Sequence, residues 1–361
     1  MTRHPPTPIP FDDWPRPLAF ALSGGGAYGS VQVGMIRALL ERGVVPDLIV
    51  GSSVGALNGA LLAARPDSAV EELTELWRSM NRRVVFGGRS GAGVPVIGLA
   101  GIGLGMARNL MRDGALCRPD RLGALIERRL GSLSFEDLPI RFAAVVTDAQ
   151  NGQPDLLCRG PVRGALIAST AIPGVFPRVT LDGRVFVDGG VAANVPIRQA
   201  ITFGANSVLS LDASPATPPT AIPGRLVGGL LHSVNLMIRN QRAHAVEDLA
   251  PRHRIAFLPN VTPPDISSFD FGHTEELLDR SYRETVSFLD AWLLGREQEP
   301  QPERAVDHHH HQHHELAAPG FLRFEALQGP IVGNGNSAEQ VPTPTERIGQ
   351  ADHEGLDLID E

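Results

Sequence analysis

Lysine is absent from this 361-residue chain, in which all 32 basic residues are arginine. Its absence excludes Schiff-base chemistry and any Walker-type phosphate-binding lysine. Cysteine is nearly absent too, with Cys117 and Cys158 far apart and outside any CxxC or metal spacing. Two free thiols in a reducing compartment are expected, rather than a disulfide or a zinc site. No basic block offsets the formal net charge of -8, so nucleic acid and a polybasic membrane anchor are not indicated. No acidic cluster has the spacing of a calcium loop. The first residues, MTRHPPTPIPFDDWPRP, hold no apolar h-region, which argues against a secretory signal and for a cytoplasmic protein.

What remains is ordinary globular composition, 42% apolar and 20% charged, over a length that suits one large domain with tails. Leu18 to Ser23 reads as a buried strand running into three glycines, and Ser30 to Arg42 as a helix stopped by Gly43. A second buried strand, Leu48 to Gly51, meets a small-residue helix from Ser53 to Ala64. Further strands are expected at Phe142 to Thr147, Val185 to Val187, Ser207 to Leu211 and Ile255 to Leu258. Helices are expected around Asp120 to Leu130, Leu226 to Leu249 and Thr274 to Leu294. Strand alternating with helix points to an α/β fold of three layers, α/β/α, around a mostly parallel central sheet. Apolar periodicity stops after Gly295. Three parts are therefore expected: residues 1–16 as a disordered N-terminal segment, 17–297 as the domain, and 298–361 as a low-complexity, disordered tail.

Where the second strand turns into a helix, Gly51, Ser53 and Gly55 spell G-x-S-x-G. The turn is so tight that side chains two residues before and after the serine would clash, a demand that glycine meets. It also sets the Ser53 hydroxyl near a helix N-terminus, where unpaired N–H groups favour developing negative charge. On these residues alone, a mere strand-to-helix turn of small residues reads equally well. Upstream, Gly24, Gly26 and Gly29 fit G-x-G-x-x-G, the dinucleotide fingerprint. That fingerprint wants an acid at the end of the second strand; here the strand ends in Gly51-Ser52-Ser53, with Asp47 at its start. The loop serves acyl transfer instead, because bare backbone N–H groups beside the nucleophile can hold a tetrahedral oxyanion, and Gly24, Gly25 and Gly26 are read as that oxyanion hole. Asp188, after a short apolar strand and before Gly189 and Gly190, is either a turn former or the base. His232, His244, His253 and His273 lack the flanking pattern of a triad base.

The glycine loop SGGGAYG, the elbow GSSVG and the DGG at Asp188 together resemble the patatin-like phospholipase family. The segment ASTAIPGVFPRV at Ala168 to Val179, with Asn194 and Pro196 after the DGG, is similar to that family as well. The likeness spans roughly Leu18 to Leu211. It implies a Ser-Asp dyad in place of a triad, with Ser53 as nucleophile, Asp188 as base, the N–H groups of Gly25 and Gly26 as oxyanion donors and Gly24 shaping the loop. It implies acyl-ester substrates, usually lipid, a phospholipase or esterase activity, and no metal or organic cofactor. Two departures stand out: Tyr28 occupies a position where many members carry arginine or lysine, and Arg178 one where proline is common.

Alternatives on the same dyad are an acyltransferase or a thioesterase, and beyond them a catalytically silent lipid-binding protein. The glycine-rich, uncharged residues 91–107 fall short of the roughly 20 apolar residues of a spanning helix. They read as a lid facing lipid, with peripheral membrane contact, or as a core helix with flexible ends. The tract from His308 to His314 reads as low-complexity linker, with zinc or nickel binding as its alternative.

Overall fold

The structure, a computed structural model, describes residues 9–81, 84–85, 115, 117–214, 226–263 and 266–297. The apolar stretch at 91–107, the histidine tract and the tail from 298 onward lie outside the described residues. β1 (Leu18–Leu22) leads through a 3-10 turn at Gly26–Tyr28 into α1 (Gly29–Glu41), and β2 (Leu48–Ser52) leads into α2 (Val54–Ala64). Next come α3 (Ala69–Ser79), α4 (Asp120–Leu130), β3 (Arg141–Asp148), β4 (Pro154–Leu157) and α5 (Val162–Ser169). β5 (Val179–Leu181), β6 (Arg184–Asp188), α6 (Gly190–Ala193), α7 (Ile197–Thr202) and β7 (Ser207–Leu211) follow. α8 (Leu226–Leu249), β8 (Arg254–Phe257) and α9 (Thr274–Glu297) complete the described chain.

The strands pair in the order β5-β6-β3-β2-β1-β7-β8, with β4 also on β3. From β3 through β2, β1 and β7 to β8 all neighbours are parallel, whereas β4 and β6 run antiparallel to β3, and β5 to β6. The parallel strands β1, β2 and β7 are buried along their whole length because helices cover both faces. Leu18, Phe20 and Leu22 of β1 face one core with Ile36 and Leu39 of α1, Leu61 of α2 and Trp77 of α3. Ala19 and Ala21 face the other, with Ala193 of α6, Val195, and Ile197 and Ala200 of α7. This is the expected three-layer α/β/α arrangement.

Several elements were not anticipated. Leu73, Leu76 and Trp77 make α3 an amphipathic helix whose apolar side is fully buried. The hairpin of β5 and β6 closes through Asp182 and Gly183, both at positive φ (49° and 78°), a two-residue turn that matches the twist of paired strands. Residues 9–16, expected as part of a disordered segment, are instead packed. The Phe11 ring lies 4.9 Å from that of Trp14 and 4.6 Å from that of Trp292 in α9. Phe11 is 1% exposed. Proline-rich composition hid two aromatic anchors, and a buried aromatic outweighs the local lack of periodicity. Among the described residues, no helix is long and apolar enough to cross a membrane.

Phe11→Ala is expected to lower the free energy of unfolding by about 3 kcal/mol. Urea denaturation measures it, and a loss below about 0.5 kcal/mol would show that the segment does not hold the core.

Candidate active site

β3 carries neighbours on both edges, and their registers decide what meets at its end. Ala144 to Thr147 pair with β4; Val146 and Thr147 pair also with β6, and Ala144 and Val145 also with β2. A strand residue has only two edges, so β2 and β6 share the edge opposite β4. β2 runs along it as far as Ser52, opposite Val145; β6 arrives from the other direction and stops at Asp188, opposite Val146. Their C-terminal tips therefore face each other one residue apart.

Ser53 follows the first tip. It turns the chain into α2 at φ 52° and ψ -122°, a backbone region that costs a non-glycine residue about 1–3 kcal/mol. The turn exists because its flanks are bare. A Cβ on Gly51 would come within 2.4 Å of the Gly55 carbonyl oxygen, and one on Gly55 within 2.4 Å of the Leu22 oxygen. The Ser53 hydroxyl donates to Asp188 Oδ2 at 2.6 Å across a separation of 135 residues. The other carboxylate oxygen, Oδ1, accepts from the Gly190 N–H at 2.7 Å. Thr147 Oγ1 donates to the Asp188 carbonyl at 2.8 Å and tethers β6 to β3.

Both side chains are nearly closed off, Ser53 at 8% and Asp188 at 5% exposure. Burial raises the Asp188 carboxyl from 3.8 to about 6, and the hydrogen bonds from Ser53 and Gly190 lower it only in part. No cation contacts it among the described residues. Asp188 is thus a stronger base than a free aspartate, yet is still ionised at neutral pH.

The glycine loop lies beside Ser53. Gly24 donates its N–H to the Asn194 carbonyl at 3.0 Å, so it cannot offer that N–H to an oxyanion. Gly24, expected to shape the loop, is held by the scaffold, and the N–H groups of Gly25 and Gly26 bond nothing among the described residues. A Cβ on Gly24 would also fall 2.5 Å from Asn194 Oδ1. The loop is braced from below by a buried polar chain. Trp77 Nε1 donates to Asn58 Oδ1 at 2.9 Å, and Asn58 Nδ2 to Gln32 Oε1 at 2.9 Å. Gln32 Nε2 then donates to the carbonyls of Ser23 and Leu211 at 2.8 and 3.0 Å. Outside the loop, the Ala27 N–H donates to the Ser268 carbonyl at 2.7 Å, and the Tyr28 hydroxyl to that of Ile266. Tyr28 is therefore an anchor for the 266–268 segment and brings no positive charge.

The remaining candidates lie elsewhere. Asp47 accepts from the Leu18 N–H at 2.6 Å and from Arg16 at 3.0 Å, at the start of β1 and away from the site. His253 neighbours the Asn206 carbonyl, His244 pairs with Glu247, and His273 with Asp270 and Glu276. Among the histidines with described side chains, none bonds Ser53 or Asp188. Cys117 and Cys158 are free thiols, and burial pushes that of Cys117 up, away from thiolate reactivity.

The family model described as patatin-like phospholipase matches residues 20–201. An uncharacterised NTE family protein of Mycobacterium tuberculosis is 32% identical over 203 residues, covering 56% of this chain and 51% of that protein. The protein named lysophospholipase NTE1 of Mycosarcoma maydis is 24% identical over 302 residues, covering 76% of this chain and 15% of its own. The chain thus spans at most about half the length of these two relatives. Among solved structures, VipD from Legionella pneumophila aligns with a TM-score of 0.44 at 16% identity, over 77% of this chain and 67% of that one.

The buried carboxylate carries a cost that a variant can release. Between 3.8 and about 6 the folded protein holds a proton that the unfolded chain has lost, so stability falls as pH rises through that window. Asp188→Asn is expected to be more stable than the native protein by about 1–3 kcal/mol at neutral pH, the gain fading below pH ~4. Thermal unfolding at the two pH values checks this; an equal or lower midpoint for the variant at pH ~7 would contradict it.

Proposed function

Because the chain belongs to the patatin-like phospholipase family, we propose that it is a serine lipid acyl hydrolase, a carboxylic ester hydrolase working through a Ser53-Asp188 dyad. The observation that carries this reading is the 2.6 Å hydrogen bond from the Ser53 hydroxyl to Asp188, made at a strained elbow with no histidine at the carboxylate among the described residues. The relative named a lysophospholipase supports lipid esters as the substrate class.

In this mechanism Asp188 takes the hydroxyl proton as Ser53 Oγ bonds to the ester carbonyl carbon. The carbonyl oxygen becomes an oxyanion, to which the N–H groups of Gly25 and Gly26 donate. Each preorganised donor is worth about 2.7–4 kcal/mol in such sites. The C–O bond to the alcohol then breaks, and Asp188 returns the proton to the leaving oxygen. Water attacks the acyl-enzyme with Asp188 again as base, releasing the carboxylic acid and restoring Ser53. The strained serine and the fixed loop hold this geometry before substrate arrives, which lowers the reorganisation needed in the transition state.

Hydrolysis of p-nitrophenyl esters of increasing chain length tests the reading. Turnover is expected to fall about a thousandfold or more in Ser53→Ala. In the native protein kcat/KM is expected to rise with pH to a plateau, with its midpoint near the Asp188 value of about 6. A folded native protein that hydrolyses no ester, or a Ser53→Ala variant with native turnover, would refute it.

A further inference from the structure

Ser169, the last residue of α5, is buried with no exposed surface and stands where the tips of β2 and β6 meet. Its hydroxyl oxygen accepts the Ser53 backbone N–H at 3.0 Å and donates to the Val145 carbonyl at 2.6 Å. Its own carbonyl accepts the Gly189 N–H at 3.2 Å, and two residues on, the Ala171 carbonyl accepts the Asp188 N–H at 2.9 Å. The last carbonyls of a helix have no partner within it and must find one elsewhere. Here the end of α5 finds them in the strand that carries the base, while its final side chain fills the break between two strands.

We propose that Ser169 is a positioning residue for the dyad: one hydroxyl fixes the peptide of the nucleophile, and the adjoining carbonyl fixes the peptide after the base. The inference rests on the hydrolase reading but names a residue to which that reading gives no role. Ser53 occupies a backbone region that its surroundings must enforce, and the Ser169 hydroxyl is the hydrogen-bond partner of its N–H. Without it, the Ser53 N–H and the Val145 carbonyl lose a buried partner and the elbow is free to relax. The Ser53 hydroxyl then leaves the Asp188 carboxylate. A shift of this kind, on the order of 1 Å, costs about a hundredfold in rate.

Fluorophosphonate labelling rates and ester kinetics of Ser169→Ala, Ser169→Cys and the control Thr170→Ala test the proposal. The Thr170 hydroxyl donates to Leu166 inside α5 and reaches neither strand, so its loss removes a neighbouring hydroxyl without touching the junction. In Ser169→Ala, labelling and kcat are expected to drop about tenfold to a hundredfold with KM within about twofold of native. The pH midpoint is expected to move up, because the Ser53 hydrogen bond that lowers the Asp188 carboxyl is lost. Ser169→Cys, which keeps a weak donor and acceptor, is expected to recover part of the rate, and Thr170→Ala to match the native protein. Native rates and an unmoved midpoint in Ser169→Ala would overturn the proposal alone. If that variant does not fold, native rates in Ser169→Cys would do the same. A native protein that neither labels nor turns over would remove the hydrolase reading and this inference with it.

Discussion

β3 is shared: β4 occupies one edge, and β2 and β6 divide the other, meeting tip to tip at Val145 and Val146. The rest of the site depends on that division. A strand that ends in the middle of a sheet leaves its last peptide groups without ladder partners, and buried polar groups without partners are costly. Here the loose groups are used. The Ser53 N–H goes to Ser169, the Asp188 and Gly189 N–H groups to the end of α5, and the two side chains to each other. A break in the sheet has become the place where a serine hydroxyl and a carboxylate are held 2.6 Å apart.

Two costs are accepted for that geometry, a serine at positive φ and a carboxylate closed off from water. Both are paid locally by rigid surroundings. Parallel strands buried on both faces, the polar chain from Trp77 through Asn58 and Gln32, and the Asn194 carbonyl all constrain the loops that end the strands. Dispersed, this polar chain would be a liability; fully bonded, it fixes the glycine loop in one position. The same burial that destabilises the ionised Asp188 gives it basicity close to neutral pH, so the cost and the chemistry have one origin.

Much of the fold was legible because parallel strands and amphipathic helices leave strong periodic signals. β1, β2 and β7 are short, largely apolar runs, and the elbow glycines mark the strand-to-helix turn. The meeting of Ser53 with Asp188 was not derivable from spacing, since it depends on which edge of β3 is left open by β4, an unanticipated strand of intermediate burial with no alternating pattern. The family likeness supplied that pairing in advance. The turn Leu181-Asp182-Gly183-Arg184 carries a readable hairpin signal in its Asp-Gly pair. Ser169 left a weaker trace, lying inside the segment that resembles the family, where a serine at a helix end reads as a cap. Phe11 and Trp14 were obscured by prolines, and the engagement of the Gly24 N–H depends on Asn194, 170 residues away.

The central claim is that Ser53, and no neighbouring hydroxyl, becomes acylated. Because the chain has no lysine, trypsin cuts after Arg42 and next after Arg78, Pro66 blocking cleavage at Arg65, and releases residues 43–78 with Ser52, Ser53 and Ser68 as their only serines. Fragment-ion mass spectrometry of that peptide, after reaction with a fluorophosphonate, assigns the modified oxygen directly. The account predicts a single phosphonyl group on Ser53, absent when Asp188 is replaced by asparagine under the same exposure. A label on Ser52 or Ser68, or on any other peptide at the same stoichiometry, would contradict it.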